Sequence, residues 1–343
     1  MRSLRDRLSI RVAQGYGTAG RIRRHFSSLG AGPLGLAILM LSLTVGNATA
    51  TVFHLENGNS LAQFHTEASD GPVLGHNVWE VDGIDHMAQQ WFAFRTAETG
   101  REFFVGGDEV GNPLSQITAH SINLDGQPGD DFLRVIYRDN ADQFEIQLMY
   151  FLTGGTPGSN NSLLREIISI TNLAGGGGGG TGGGGEGEGE EENNDNLNIG
   201  FFQLSNFDLE DTAENDSVII SGNMMNVATQ FEANTDLHVA ESVVSPPPTF
   251  FEAGEHFDIM SRFTDNDFDD LNGNASAINT VDAVWAFQWN FEIAPDEMVL
   301  ISKEKMLEEG PINIAIPLPS AAWCGFVLFG SVGMMRRILR PGR

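Results

Sequence analysis

The segment Thr264–Asn274, TDNDFDDLNGN, crowds four carboxylates into one stretch: Asp265, Asp267, Asp269 and Asp270. Oxygen donors at that density are the ligand type that Ca2+ takes, a hard cation held by roughly six to eight oxygens. No cofactor is expected by default; these four aspartates are the candidate metal ligands of the alternative, a Ca2+ site. The loop does not follow EF-hand spacing, which needs Gly at the sixth position and an acid at the twelfth. Counted from Asp265, those positions hold Asp270 and Ser276. The competing reading is a solvated acidic turn. Asp208, Glu210, Asp211 and Asp216 form a second, looser acidic group.

Other chemistry leaves little trace. His54, His65, His76, His86, His120, His238 and His256 make no H-x-H or H-x-x-x-H pair, so zinc would need ligands from distant strands. There is no G-x-S-x-G elbow, which leaves an α/β-hydrolase without support. The glycine-rich tract lacks the Lys-Ser/Thr that completes a phosphate loop. Carboxylates are so abundant that no glycosidase pair stands out. No catalytic residue is predicted, and the expectation is a protein that is not an enzyme. Trp79, Trp91, Trp285 and Trp289 would stack on sugar rings if they faced outward, but most alternate with polar residues at strand spacing, which points to core packing.

The elements that must position these residues are strands, because the dominant hydrophobic period is two. Between residues 284 and 293, VWAFQWNFEI sets Trp285, Phe287, Trp289, Phe291 and Ile293 on one side and Ala286, Gln288, Asn290 and Glu292 on the other. That pattern predicts a half-buried antiparallel strand. QFEIQLMYFL, residues 143–152, alternates in the same way. Further strands are predicted over 77–81, 87–96, 116–124, 132–137, 164–171, 199–204, 217–221, 238–244, 256–263 and 298–302, with a short helix near Lys303–Glu309. Asp-Gly, Gly-Gly and Asn-Gly clusters separate them. The expected fold is all-β, a single large antiparallel β-sandwich. The low-complexity tract from Gly175 to Asn196 is read as a disordered, swollen hairpin loop between adjacent strands. Ser245-Pro246-Pro247-Pro248 reads as a stiff spacer.

Charge divides the 343 residues into three. Lys and Arg number 19 against 46 Asp and Glu, a net of −27. Residues 1–50 carry seven Arg and one Asp, and residues 311–343 carry four Arg and no acid. The body, 51–310, holds 8 basic residues against 45 acids. So acidic a chain is a poor partner for nucleic acid, whose phosphates demand a basic surface. The single cysteine, Cys324, excludes a disulfide framework.

Both basic ends read as addresses. Arg-rich residues 1–25 precede an apolar stretch, 29–45, closed by Ala48-Thr49-Ala50. This is the layout of a signal peptide cut by signal peptidase after Ala50, with Ala48 and Ala50 as the small residues it reads. Arg23-Arg24-His25-Phe26 resembles a twin-arginine export motif without its preceding Ser or Thr and its following Leu, which favours the general secretory route. At the other end, IPLPSAAWCGFVLFGSVGMMRRILR (316–340) joins Pro317 and Pro319 to an apolar span, 321–335, stopped by Arg336, Arg337 and Arg340. Fifteen helical residues rise only about 22 Å against a hydrocarbon core of roughly 30 Å, so the transmembrane segment is short and needs tilt or bilayer thinning. The arginines place the C-terminus in the cytoplasm.

This tail resembles the PEP-CTERM family of bacterial sorting signals, in its Val-Pro-Leu-Pro-Ala variant, with Ile316 for Val and Ser320 for Ala. FFQLSNFDLEDT and VWAFQWNFEIAPDEMVLISKEKML also look like sequences that accompany such tails. The resemblance implies recognition by an exosortase-type transpeptidase, removal of the tail, and delivery to the cell surface or extracellular matrix. The reading is an exported, surface-sorted, non-enzymatic protein of the cell envelope or extracellular polymer matrix, with polysaccharide or envelope components as partners and a transient or lasting membrane anchor. The alternatives are a secreted carbohydrate-binding module, with or without calcium, and a secreted hydrolase. Outward-facing tryptophans would favour the first, and a pocket joining His and Asp from distant strands the second.

Overall fold

Alternation at period two does build most of this protein. The computed structural model describes residues 52–68, 74–174, 196–212, 216–232, 235–265, 267–280 and 282–310. The signal-peptide residues Ala48 and Ala50, the tract 175–195 and the tail with Pro317, Pro319, Arg336, Arg337 and the span 321–335 lie outside the described residues. No helix among the described residues is long and apolar enough to cross a membrane.

In chain order the strands are β1 (Val52–Asn57), β2 (Ser60–His65), β3 (Gly75–Val81), β4 (Ile84–Asp85), β5 (Met87–Thr96), β6 (Phe103–Phe104), β7 (Leu114–Ile122), β8 (Phe132–Asp139) and β9 (Phe144–Gly154). They continue as β10 (Ser162–Asn172), β11 (Leu197–Phe207), β12 (Asp216–Ser221), β13 (Val227–Glu232), β14 (Leu237–Ser245) and β15 (Phe250–Glu255). After helix α1 (His256–Thr264) come β16 (Ser276–Thr280), β17 (Ala283–Ile293) and β18 (Met298–Glu309). Two antiparallel sheets of nine strands face each other as a sandwich. The first runs β1-β2-β3-β5-β11-β17-β15, with β4 on β3 and β6 on β5. The second runs β16-β12-β13-β14-β18-β10-β9-β8-β7.

The core lies where the inner faces meet. Along β9, Phe144, Ile146, Leu148, Tyr150 and Leu152 point inward while their neighbours stay half-buried, as period two requires. On β17, Trp285, Phe287 and Trp289 are fully buried. Phe207 stacks on Trp285 at 5.4 Å and 2° between planes. The far face of β17 is not solvated as predicted, because Val284 and Ala286 are also fully buried. Helix α1 covers that face through Ile259 and Phe263, forming a second apolar cluster with Trp91, Ala93, Phe202 and Leu204. The first sheet therefore has packing on both sides.

Three expectations are corrected. Residues 256–263 form α1 instead of a strand: Ile259 and Phe263, four apart, lie on one helical face, and only there can both reach the sheet. Residues Lys303–Glu309 are not a helix but the second half of β18, held between β14 and β10. The tract from 175 does not close a hairpin. β10 already has β9 and β18 as neighbours, β11 has β5 and β17, and the two strands belong to different sheets.

Candidate functional site

The acidic loop after α1 lies on the outer side of the first sheet, beside Arg95 of β5. Asp265 and Asp267 are exposed, and their carboxylates cap the backbone N–H groups of Asp267 and Phe268, both at 3.0 Å. Asp269 and Asp270 turn to arginines. Arg95 Nη1 donates to the Asp269 carbonyl at 2.7 Å and Nη2 to the Asp270 carboxylate, while Arg262 Nη1 lies 3.8 Å from Asp269. Burial pushes the Asp270 carboxyl up, but hydrogen bonds from Gln288 and Arg95 outweigh it and hold the group below its ordinary range. The four predicted ligands thus share a loop without pointing at a common centre. Among the described residues no three His, Cys, Asp or Glu side chains converge as metal ligands.

The same arginine floors a surface concavity. Its guanidinium carbon sits 5.1 Å from the Phe202 ring and 5.3 Å from the Phe268 ring, and Nη1 pairs with Glu102 at 2.8 Å. Gly200 on β11 makes room for this, since a Cβ there would lie 3.0 Å from Arg95 Nε and 3.1 Å from Cγ. Phe268 stays 47% exposed. The concavity, about 430 Å³, is lined by Phe268, Phe291, Asn198, Asn290 and Glu292. At Thr96, Ala97 and Asn198 it joins a larger open cleft of about 1010 Å³ at the end of the sandwich. The carboxylate of Asp139 in that cleft accepts backbone N–H groups of Ala141, Gln143 and Phe144, and Asp142 lies 3.6 Å from Arg138. No histidine lines either space among the described residues. Two aromatic rings, two amides and a carboxylate around a shallow floor can hold a hydroxyl-rich ligand by stacking and hydrogen bonds.

The chain matches no protein-family model and no curated protein. Parts of several solved structures align with it. A bacterial glucoamylase complexed with acarbose aligns at TM-score 0.43 and 9% identity, over 84% of this chain and 36% of that one. The GH36 α-galactosidase AgaB from Geobacillus stearothermophilus aligns at TM-score 0.41 and 11% identity, over 77% and 41%. The heparan sulfate lyase HepC from Pedobacter heparinus aligns at TM-score 0.38 and 9% identity, over 77% and 36%. This chain thus spans less than half the length of each.

The four tryptophans singled out by the sequence face inward or lie under other elements. Trp79, Trp285 and Trp289 are fully buried and Trp91 is 8% exposed. The ring N–H groups of three are used internally: Trp79 to Ser162 at 2.9 Å, Trp285 to Glu241 at 3.0 Å and Trp289 to the Pro246 carbonyl at 3.0 Å. A tryptophan platform for sugars is therefore absent among the described residues.

Sequence reasoning missed a charged layer in the middle of the core. Lys303 and Lys305 point inward from β18, with Glu166 of β10 opposite Lys303 and Glu241 of β14 opposite Lys305. All four are 0–1% exposed. Lys303 lies 3.0 Å from Glu241, and both lysines contact Glu166 closely. The first sheet contributes neutral partners. Gln203 donates to Glu241 at 2.7 and 2.8 Å, Gln90 donates to Glu166 at 3.0 Å, and their carbonyl oxygens accept from Lys303 and Lys305. Burial pushes Glu166 up, but the two ammonium groups outweigh it and hold the carboxyl below its ordinary value. Burial lowers Lys305 to about 8 despite Glu166 and Glu241. Nearby, burial takes His76 down to about 3, with Lys305 adding to the effect. Two cations and two anions make the layer neutral. It joins the sheets and borders neither surface space.

Proposed function

We propose that this is an exported, surface-sorted, non-enzymatic protein of the cell envelope or extracellular matrix, which works as a soluble polyanionic scaffold. The observation that carries this reading is how the body uses its 8 basic residues. Lys303 and Lys305 are sealed in the core. Arg95, Arg138, Arg165 and Arg262 are paired with carboxylates. Arg134 donates to Gln147, and Arg101 lies 4.4 Å over the Phe103 ring. With 45 acids in the same span, the solvent sees an acidic excess with almost no positive charge to offset it. Such a body repels other polyanions, attracts divalent cations and stays soluble at high local density. The two terminal addresses supply the route to the surface.

The test is the C-terminal peptide of the native protein, read by mass spectrometry from surface and membrane fractions of the source cells. A chain that ends near Pro317–Ser320 and is recovered from the surface supports sorting. A chain intact to Arg343 and confined to the membrane overturns it.

The concavity around Arg95 favours a second reading, contact with a saccharide chain, because Phe268 is an exposed aromatic held in place by the arginine beneath it. Retardation of the protein in gels containing neutral polysaccharide, lost in Phe268→Ala, is the expected result. Equal mobility with and without polysaccharide would remove this reading and leave the scaffold.

A further inference from the structure

At one end of the sandwich, acidic side chains from β12, β13 and the segments that follow β11 and precede β17 come together. Asp216 opens β12 and is 1% exposed. It stands opposite Glu232 on β13 and Thr280 on β16, so the three share the inward face. Asp208 and Asp282 approach from the first sheet, near enough for their charges to act on Asp216. No lysine or arginine among the described residues pairs with Asp216, Glu232 or Asp282.

An independent observation is the amide of Gln230, which is fully buried. Its Nε2 donates to Asp216 Oδ2 at 2.8 Å and to the Phe207 carbonyl at 2.7 Å. Both partners are acceptors, so the amide cannot be turned round, and Oε1 is left buried without a donor. Asp216 Oδ1, Thr280 Oγ1 and Asp282 Oδ1 are also buried atoms without hydrogen-bond partners. Buried acceptors in such number are rare unless an ion or ordered water satisfies them.

We propose that this end of the sandwich is a structural Ca2+ site, with Asp216 Oδ1, Gln230 Oε1, Thr280 Oγ1 and Asp282 Oδ1 as protein ligands and water completing the shell. The donor set is all oxygen, the set of a hard cation, and it contains no His or Cys to select zinc. It mixes two carboxylates with an amide and a hydroxyl, so it holds fewer than three acidic ligands. Irregular neutral and charged oxygens suit Ca2+, whereas Mg2+ requires a near-ideal octahedron. The ion would tie β12, β13 and β16 of one sheet to β17 of the other.

The test is thermal unfolding and titration calorimetry of the full chain with CaCl2, against MgCl2 at equal ionic strength. Extracellular Ca2+ modules bind at about 10⁻⁴–10⁻³ M, so about 10 mM gives up to a hundredfold excess over Kd and a rise in Tm of several degrees. That rise, with one calorimetric site, should be present in Asp265→Asn/Asp267→Asn and lost in Asp216→Asn and Asp282→Asn. If Asp216→Asn fails to fold, Asp282→Asn, at a half-buried position, carries the test. Equal stabilisation by Ca2+ and Mg2+, or a Ca2+ response unchanged in the Asp282 variant, would overturn the proposal.

Discussion

Glu166→Gln would change almost nothing in the shape of the core and one unit of its charge. Glu166 is 1% exposed and touches both Lys303 and Lys305, while Gln90 donates to it at 3.0 Å. With the carboxylate gone, two ammonium groups remain in a buried layer with only Glu241 to offset them. Breaking a buried pair by removing one partner typically costs about 3–5 kcal/mol, because the remaining charge is left uncompensated. In a domain this size, about 2–4 °C in Tm per kcal/mol gives a fall of roughly 6–20 °C by calorimetry. The loss should also depend on pH. Lys305 already has a folded pKa of about 8, below its ordinary 10.5, so the unfolded chain binds the extra proton between those values and stability rises with pH across that window. Without Glu166 the folded pKa falls further and the window opens at lower pH, so the variant should recover part of its stability on the alkaline side. The double change Glu166→Gln/Lys305→Met restores neutrality and should be more stable than the single variant. A single variant that loses less than about 1 kcal/mol, or a double variant no better than the single, would refute the view that the layer is held by balanced charge.

Phe263→Ala should lift α1 from the sheet. Its ring is 5% exposed and meets Phe202 edge-on at 5.5 Å, and the expected loss in urea unfolding is about 3–5 kcal/mol. His76 is held neutral well below its ordinary pKa of 6.5, so the unfolded state takes up the proton first as pH falls. Stability should therefore decline from about pH 6.5 towards pH 3, and His76→Phe, which keeps a ring against Phe64, should flatten that part of the Tm profile. Arg95→Lys replaces a planar fork that serves Glu102, Asp269 and Asp270 at once with a single ammonium. It should cost about 1–3 kcal/mol in urea unfolding.

Much of the fold was legible because period two is hard to mistake where one face is buried. β5 has the predicted bounds, and the alternation of β9 and β17 places the correct side chains inward. β2, β13, β15 and β16 do not read as strands because LAQFH, VATQFE, FFEAGE and SAINT mix polar and apolar residues without a clean period, the alternation FHLE of β1 is only four residues long, and β4 and β6 are two residues each. α1 was misread because its apolar positions are too few to outweigh neighbouring strand signals, and Phe257 is 83% exposed. The charged layer had a visible signal. Ile301, Lys303, Lys305 and Leu307 alternate with Ser302, Glu304 and Met306, which puts the lysines in the inward register of a strand. Composition argued the other way, since KEKMLEE looks like a solvated helix. The calcium expectation rested on local density of carboxylates at 265–270. What marks the Asp216 end is an amide and a hydroxyl contributed by other strands, and no local window contains them.

β18 has a place in the second sheet that bears on the order of events in making the protein. It lies between β14 and β10, so it alone joins β16-β12-β13-β14 to β10-β9-β8-β7. Until residues 298–309 emerge from the ribosome, each half has an unsatisfied interior edge, and Glu166 and Glu241 lack their lysines. Pairing residue 163 with 306 also closes most of the body into one loop, a high contact order that slows folding. Closure of the sandwich is therefore a late event that waits for nearly the whole body to be synthesised. A nascent chain held open for that long can be threaded through a narrow channel before it folds.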